Sequence, residues 1–309
     1  MIETELLTGF IAAPFTPMDD KGNITLKPIA DYAERLISNG LSGAFICGTA
    51  GEGASLTTGE RKLIAEEWVR CAGKRLKIIV HVGGVCQPEC IALSEHASGI
   101  GAFAIAAIAP YFFKPETTED LLMFLKPIAA GAPGLPFYYY HMPSMTGVNL
   151  PVSDFLLKAG DHMPNFAGIK YTHSDMMDMQ QCLEISKGRY EIFNGFDEML
   201  ICGLRLGIRS AVGSTYNFMP SVYIDLLKAF NNNDMKRARE LQLYSVKVVK
   251  ILIKFGGALR SGKAIMEFIG INCGPCRSPI RFMTATEKTS LKKELTDIGF
   301  FHTINYNPV

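Results

Sequence analysis

Phe166-Ala167-Gly168-Ile169-Lys170 is an apolar run closed by a single cation. A continuous apolar stretch of this length reads as a strand of a parallel sheet covered on both faces, and a lysine at its end points into whatever space lies beyond the sheet. Burial there disfavours the ammonium, so the amine becomes a nucleophile near neutral pH. Taken alone, a strand-end lysine more commonly reaches solvent. Its neighbours along the chain decide between the two readings.

Strand-like segments recur on either side, at 9–13, 43–46, 77–82, 102–108, 136–140, 190–194 and 210–212, with helical patterns between them. That alternation predicts βαβ units and a parallel sheet. Thr57-Thr58-Gly59-Glu60 opens a helix over 61–72 with a threonine cap and a glutamate three residues on, and Pro151-Val152-Ser153-Asp154 opens another. After the eighth strand come a helical segment at 220–230, a break at Asn231-Asn232-Asn233-Asp234 and a long helical stretch over 235–255. Eight βα repeats followed by helices alone describe an α/β fold, a (β/α)8 TIM barrel with a C-terminal helical extension. The barrel, carrying the active site, is expected over 1–230 and the extension over 231–309, in one folding unit. A doubly wound open sheet is the alternative.

The chain has 309 residues, within the range of a single barrel domain. Thirty-one Lys and Arg against 30 Asp and Glu give a net charge of +1, with no footprint for nucleic acid or an anionic membrane, so a small-molecule partner is expected. The start, Met1-Ile2-Glu3-Thr4-Glu5-Leu6-Leu7, lacks the basic residues of a secretory signal, and the most apolar stretch, 99–113, is shorter than a membrane span and broken by Pro110. A cytoplasmic protein is expected. Eight scattered cysteines suit a reducing compartment. Cys273-Gly274-Pro275-Cys276 has the spacing of a redox pair but follows a long helical region, so a Gly-Pro turn between ordinary cysteines is the better reading.

In such a barrel the chemistry gathers at the C-terminal ends of the strands. The second strand runs into Gly48-Thr49-Ala50-Gly51-Glu52-Gly53, whose glycines let backbone N–H groups converge on a carboxylate or phosphate, with the Thr49 hydroxyl as a further donor. An ordinary turn fits that string equally well. Its spacing matches neither a Walker loop nor a dinucleotide fingerprint. In Tyr138-Tyr139-Tyr140-His141 the side chains must alternate, so Tyr138 and Tyr140 share a face, and Tyr140 lies nearest the mouth. A phenol beside an amine nucleophile can carry protons as an imine forms, although aromatics on strands are mostly core. Asp197 and Glu198 stand where a helix N-terminus stabilises negative charge, and can also accept hydrogen bonds from a polyol. His141, His162 and His173 are isolated and His81 ends a strand; no metal-ligand spacing and no serine elbow is present, so neither metal nor cofactor is expected. An amine that condenses with a ketone makes an iminium, which lets a nearby carbon–carbon bond break or form.

Gly48 to Gly53, Tyr138 to Val148, Gly168 to Thr172, Gly195 to Glu198 and Gly213 to Asn217 together resemble, in order and spacing, the dihydrodipicolinate synthase/N-acetylneuraminate lyase family of class I pyruvate aldolases. The resemblance runs from Gly9 to about Thr286 and is nearest to the sialic acid branch. It implies reversible cleavage of N-acetylneuraminate to pyruvate and N-acetylmannosamine, with Lys170 as the Schiff-base lysine and Tyr140 as proton shuttle. It further implies that Thr49 and the Ala50 backbone hold the pyruvate carboxylate, that Thr172, Gly195, Asp197, Glu198 and Ser214 meet the sugar hydroxyls, and that the assembly is a homotetramer. Three positions depart from the family's pattern. Ala50 stands where many members have a second hydroxyl, which leaves backbone donation intact. Phe112 replaces a tyrosine that completes a proton relay in the synthase branch, with Tyr111 as a substitute. Met145 replaces the arginine that holds a second carboxylate in that branch, which argues against dihydrodipicolinate synthesis. An aldolase for another 2-keto-3-deoxy sugar acid, and a non-catalytic descendant that binds sialic acid or pyruvate, are the alternatives.

Overall fold

A computed structural model describes residues 7–304; the acidic start read above lies, up to Leu6, outside the described residues. Eight strands form a closed barrel in chain order: β1 (Gly9–Ala12), β2 (Gly43–Ile46), β3 (Lys77–His81), β4 (Ala104–Ile108), β5 (Phe137–His141), β6 (Phe166–Tyr171), β7 (Glu191–Asn194) and β8 (Ser210–Gly213). Each pairs in parallel with the next, and β8 closes on β1 through Gly9↔Ser210 to Ala12↔Gly213. This is the barrel expected from the alternation, and the open sheet is excluded. Closure removes every sheet edge, so each strand is sandwiched between interior and helices, and β4, β5 and β6 are buried at every residue.

Two cores follow from closure. A small one fills the barrel with Leu7, Ile11, Phe45, Ile79, Tyr138, Tyr140, Phe193 and their neighbours. A larger one lies between barrel and helices and includes Trp68, Leu125, Phe155 and Tyr223. Tyr139 belongs to the outer core and Tyr138 and Tyr140 to the inner one, as strand alternation requires.

The helix Thr58–Ala72 begins three residues before its expected start, because Thr57 and Glu60 close a full capping box. The helix Val152–His162 lacks a cap of its own; Asp178 accepts from Val152 N, Ser153 N and Ser153 Oγ at 3.1, 3.0 and 2.7 Å instead. The extension comprises the helices Met235–Lys254, Ala258–Phe268, Ala285–Asp297 and Phe300–Thr303. Val248, Leu252, Ile265, Leu291 and Phe300 of these helices join the outer core. Cys273-Gly274-Pro275-Cys276 is an irregular turn with no helix opening at it. Burial pushes its thiols up to about 12 and about 11, which keeps both protonated and unreactive.

Candidate active site

At the C-terminal mouth of the barrel, strand ends and the extension enclose a cavity of about 350 Å³. Lys170 lies at its floor, paired in register with Tyr140 on β5 and Phe193 on β7, and is only 4 % exposed. Its inward direction depends on an irregularity in β6. Phe137 pairs with Phe166 but Tyr138 pairs with Gly168, so β6 carries one extra residue. Phe166 belongs to the outer core and Ala167 to the inner, and unbroken alternation through all five residues, with no bulge, would send Lys170 outward with Phe166. The bulge reverses the parity after Ala167, so that Ile169 and Tyr171 join the outer core and Lys170 points in. Gly168 makes this fit: a Cβ there would lie 2.1 Å from the Glu191 carbonyl oxygen.

Lys170 Nζ sits 4.0 Å from the centre of the Phe45 ring and 4.1 Å from that of Tyr140. Burial pulls its pKa down to about 7, against the opposing pull of Asp197. About half of the amine is therefore unprotonated at neutral pH. The Tyr140 hydroxyl is 3.3 Å from Thr49 Oγ1 and donates to Met142 Sδ at 2.9 Å. Burial pushes this phenol up to about 12, with the Thr49 and Thr172 hydroxyls acting the other way, so it is a proton donor at rest. Deeper in the barrel the Tyr138 hydroxyl donates to Glu191, whose carboxyl is raised to about 7 by burial.

The loop after β2 turns sharply, with Cys47 at φ 56° and Glu52 at φ 54° although neither is glycine. Gly53 allows the loop to close on itself, since a Cβ there would lie 1.9 Å from the Cys47 carbonyl oxygen. None of the hydrogen bonds among the described residues uses the backbone N–H of Thr49, Ala50 or Gly51. Three consecutive donors without acceptors, of which Thr49 and Ala50 line the cavity that holds Lys170, form a receptacle for a carboxylate.

The opposite rim is polar. Asp197 Oδ2 accepts from Thr215 N at 2.9 Å and from Thr215 Oγ1 at 2.7 Å, while Oδ1 is buried without a hydrogen bond. Asp197 is thus more enclosed than a helix-opening position suggests, and burial raises its carboxyl to about 6, against the Thr215 hydrogen bonds. Glu198 and Ser214 are half-buried on the same rim, and Thr172 is buried with its hydroxyl out of hydrogen-bonding geometry. Gly195 lines the wall between them, its N–H donating to Tyr171 O at 2.8 Å.

All nine residues singled out in the sequence therefore line one cavity. Sequence reasoning missed Phe45, Met142 and the apolar wall of Leu252, Ile253 and Leu259 from the extension. Alternation along β2 could have flagged Phe45; nothing local marks the others. A second cavity of about 220 Å³ adjoins the first at Thr49 and Leu259 and is lined by His81, Tyr111, Met145 and Ile280. His81 is held neutral there by burial and by the charges of Arg61 and Lys170. Phe112 and Phe113 point away, 74 % and 85 % exposed. The His141 and His173 rings pack 5.5 Å apart, and His162 is exposed. Among the described residues no group of His, Cys, Asp and Glu could hold a metal ion, and no helix is long and apolar enough to cross a membrane.

A family model described as the dihydrodipicolinate synthetase family matches residues 6–298. The N-acetylneuraminate lyase of Mus musculus is 40 % identical over 95 % of this chain and 93 % of its own. The solved N-acetylneuraminate lyase of Aliivibrio salmonicida superimposes with a TM-score of 0.93 at 37 % identity, covering 96 % of this chain and 98 % of that one. A Ruminococcus gnavus sialic acid aldolase, described as a catalytic lysine mutant, gives a TM-score of 0.90 at 26 % identity, covering 95 % and 96 %.

Proposed function

The chain belongs to the dihydrodipicolinate synthetase family, and on that premise we propose that it is a Schiff-base lyase that cleaves N-acetylneuraminate reversibly to N-acetylmannosamine and pyruvate. The observation that carries the reading is Lys170, an amine buried between two aromatic rings with its pKa brought to about 7, beside a phenol and a carboxylate receptacle.

The neutral Lys170 amine attacks the ketone carbon C2 of the open-chain sugar, and loss of water from the carbinolamine gives an iminium. Tyr140 supplies and takes up the protons of these steps, with Thr49 within reach of its hydroxyl. The substrate carboxylate rests on the N–H groups of Thr49 and Ala50 and on the Thr49 hydroxyl. Deprotonation of the C4 hydroxyl then lets the C3–C4 electron pair flow into the iminium, which releases the aldehyde of N-acetylmannosamine and leaves an enamine on Lys170. Protonation at C3 and hydrolysis free pyruvate and restore the amine. Thr172, Gly195, Asp197, Glu198 and Ser214 serve the hydroxyl-bearing chain, Asp197 through Oδ1 because Oδ2 is committed to Thr215.

A cytoplasmic homotetramer accompanies this reading, with the exposed Phe112 and Phe113 available to a neighbouring copy; sedimentation of the purified chain checks the assembly. Borohydride reduction in the presence of pyruvate should place a stable adduct on Lys170, read by peptide mass spectrometry. Absence of that adduct refutes the Schiff base. Pyruvate release measured across sialic acids and 2-keto-3-deoxy sugar acids tests the substrate, and a preference for the latter reassigns it.

A further inference from the structure

The carboxylate loop is held from a distance. Lys263, on the helix Ala258–Phe268, lies 2.6 Å from Glu52 Oε1, with the two side chains only 2 % and 1 % exposed. The contact is an ion pair rather than a directed hydrogen bond, and Lys263 Nζ also donates to Pro275 O at 2.8 Å. Glu52 Oε2 accepts from Arg277 N at 2.7 Å. The Arg277 guanidinium then donates to Ser55 O at 2.7 Å, to both oxygens of Glu60 at 2.7 and 2.9 Å, and to Gly22 O. Apart from those to Pro275 and Gly22, these contacts join the extension to the loop that offers the three free N–H groups or to the helix that follows it. Glu52 is itself one of the two non-glycine residues of that loop at positive φ.

A buried ion pair contributes little net stability, because desolvation offsets most of its attraction, so its effect here is geometric. Left-handed conformations at Cys47 and Glu52 persist only where the surroundings impose them, and the surroundings of Glu52 are Lys263 and Arg277. We propose that Glu52, Lys263 and Arg277 are positioning residues for the carboxylate site, which makes the C-terminal extension a working part of the active centre. This rests on the lyase reading above. The clasp fixes the direction of the Thr49, Ala50 and Gly51 N–H groups, so its loss weakens the grip on the carboxylate and leaves the amine chemistry at Lys170 largely in place.

The test is the double variant E52Q/K263M, which replaces the pair with neutral side chains of similar length and keeps an acceptor for Arg277 N. In the full-length protein, the pyruvate concentration giving half-maximal borohydride trapping on Lys170 should rise about tenfold, with KM for N-acetylneuraminate rising alongside and kcat falling by less than about threefold. Lys263→Arg, which retains the charge, should restore most of the affinity. A folded double variant with unchanged half-saturation overturns the proposal, whatever happens to kcat, because a merely structural role lowers the active fraction without changing affinity. Should the double variant fail to fold, Arg277→Lys, which keeps the charge but loses the fork to Ser55 and Glu60, must show the same rise, and an unchanged value there overturns the proposal equally. Failure of the wild-type chain to trap pyruvate at all is a different result, one that removes the lyase reading and the clasp with it.

Discussion

The two walls of the active cavity are built on different principles. The reaction wall consists of strand residues Phe45, Tyr140 and Lys170, which face the dry interior of the barrel. The recognition wall consists of Gly195, Asp197, Glu198, Ser214 and Thr215, on the short turns that follow β7 and β8. On the first wall burial does the chemical work, bringing an amine to about 7 and a phenol to about 12. On the second, polar atoms are tied to one another, as Asp197 is to Thr215. On the proposed reading, reactivity comes from withdrawing groups from water, and selectivity from polar groups that hold one another in place.

The comparison can be broken most forcefully at Lys170. Lys170→Met should reduce pyruvate release by about 10⁴-fold or more while raising the thermal midpoint, since a buried amine gives way to a side chain suited to its surroundings. A variant retaining measurable turnover would take the reaction wall apart. Gly168→Ala should cost about 3 kcal/mol of stability in urea titration and most of the activity, because the new methyl group meets the Glu191 carbonyl and the bulge must shift. Tyr140→Phe should lower kcat by about 10²-fold to 10³-fold yet leave Lys170 open to borohydride trapping. On the recognition wall Glu198→Gln should raise KM for N-acetylneuraminate about tenfold with little change in kcat; a kcat effect of equal size would merge the two walls into one.

The smallest effect crosses between the walls. The nucleophilic form of Lys170 is the unprotonated one, so kcat/KM should rise with pH through an acid limb near 7 and level off above it. The Asp197 carboxylate favours the ammonium, so Asp197→Asn should move that limb to lower pH. A limb moving upward, or staying in place, would separate Asp197 electrostatically from the amine.

Legibility in the sequence followed the range of the forces involved. Strand and helix periodicities are local, and all eight expected strands overlap the observed ones. The nine candidate residues lie at strand ends, which a closed barrel gathers at one mouth. The parity of β6 was not local. Read without the bulge, Lys170 shares a face with Phe166, and only the approach of Glu191 to Gly168 shows otherwise. A glycine inside an apolar strand was the available signal. The apolar wall from the extension and the Glu52–Lys263 pair depend on segments far apart in the chain, and neither leaves a mark in the local pattern.

The extra residue in β6 also gives the molecule a frame, in the sense that a reading frame has one. Pairing the same residues regularly from Phe166 onward, with the bulge ironed out, would leave every functional side chain in the sequence, yet turn the amine toward the surrounding helices and Ile169 toward the lumen. Such a chain would keep its carboxylate receptacle and its hydroxyl-binding rim without a nucleophile between them, a receptor made from an enzyme by a slip of one residue. Catalysis and binding in this barrel are therefore separated by a single step in register.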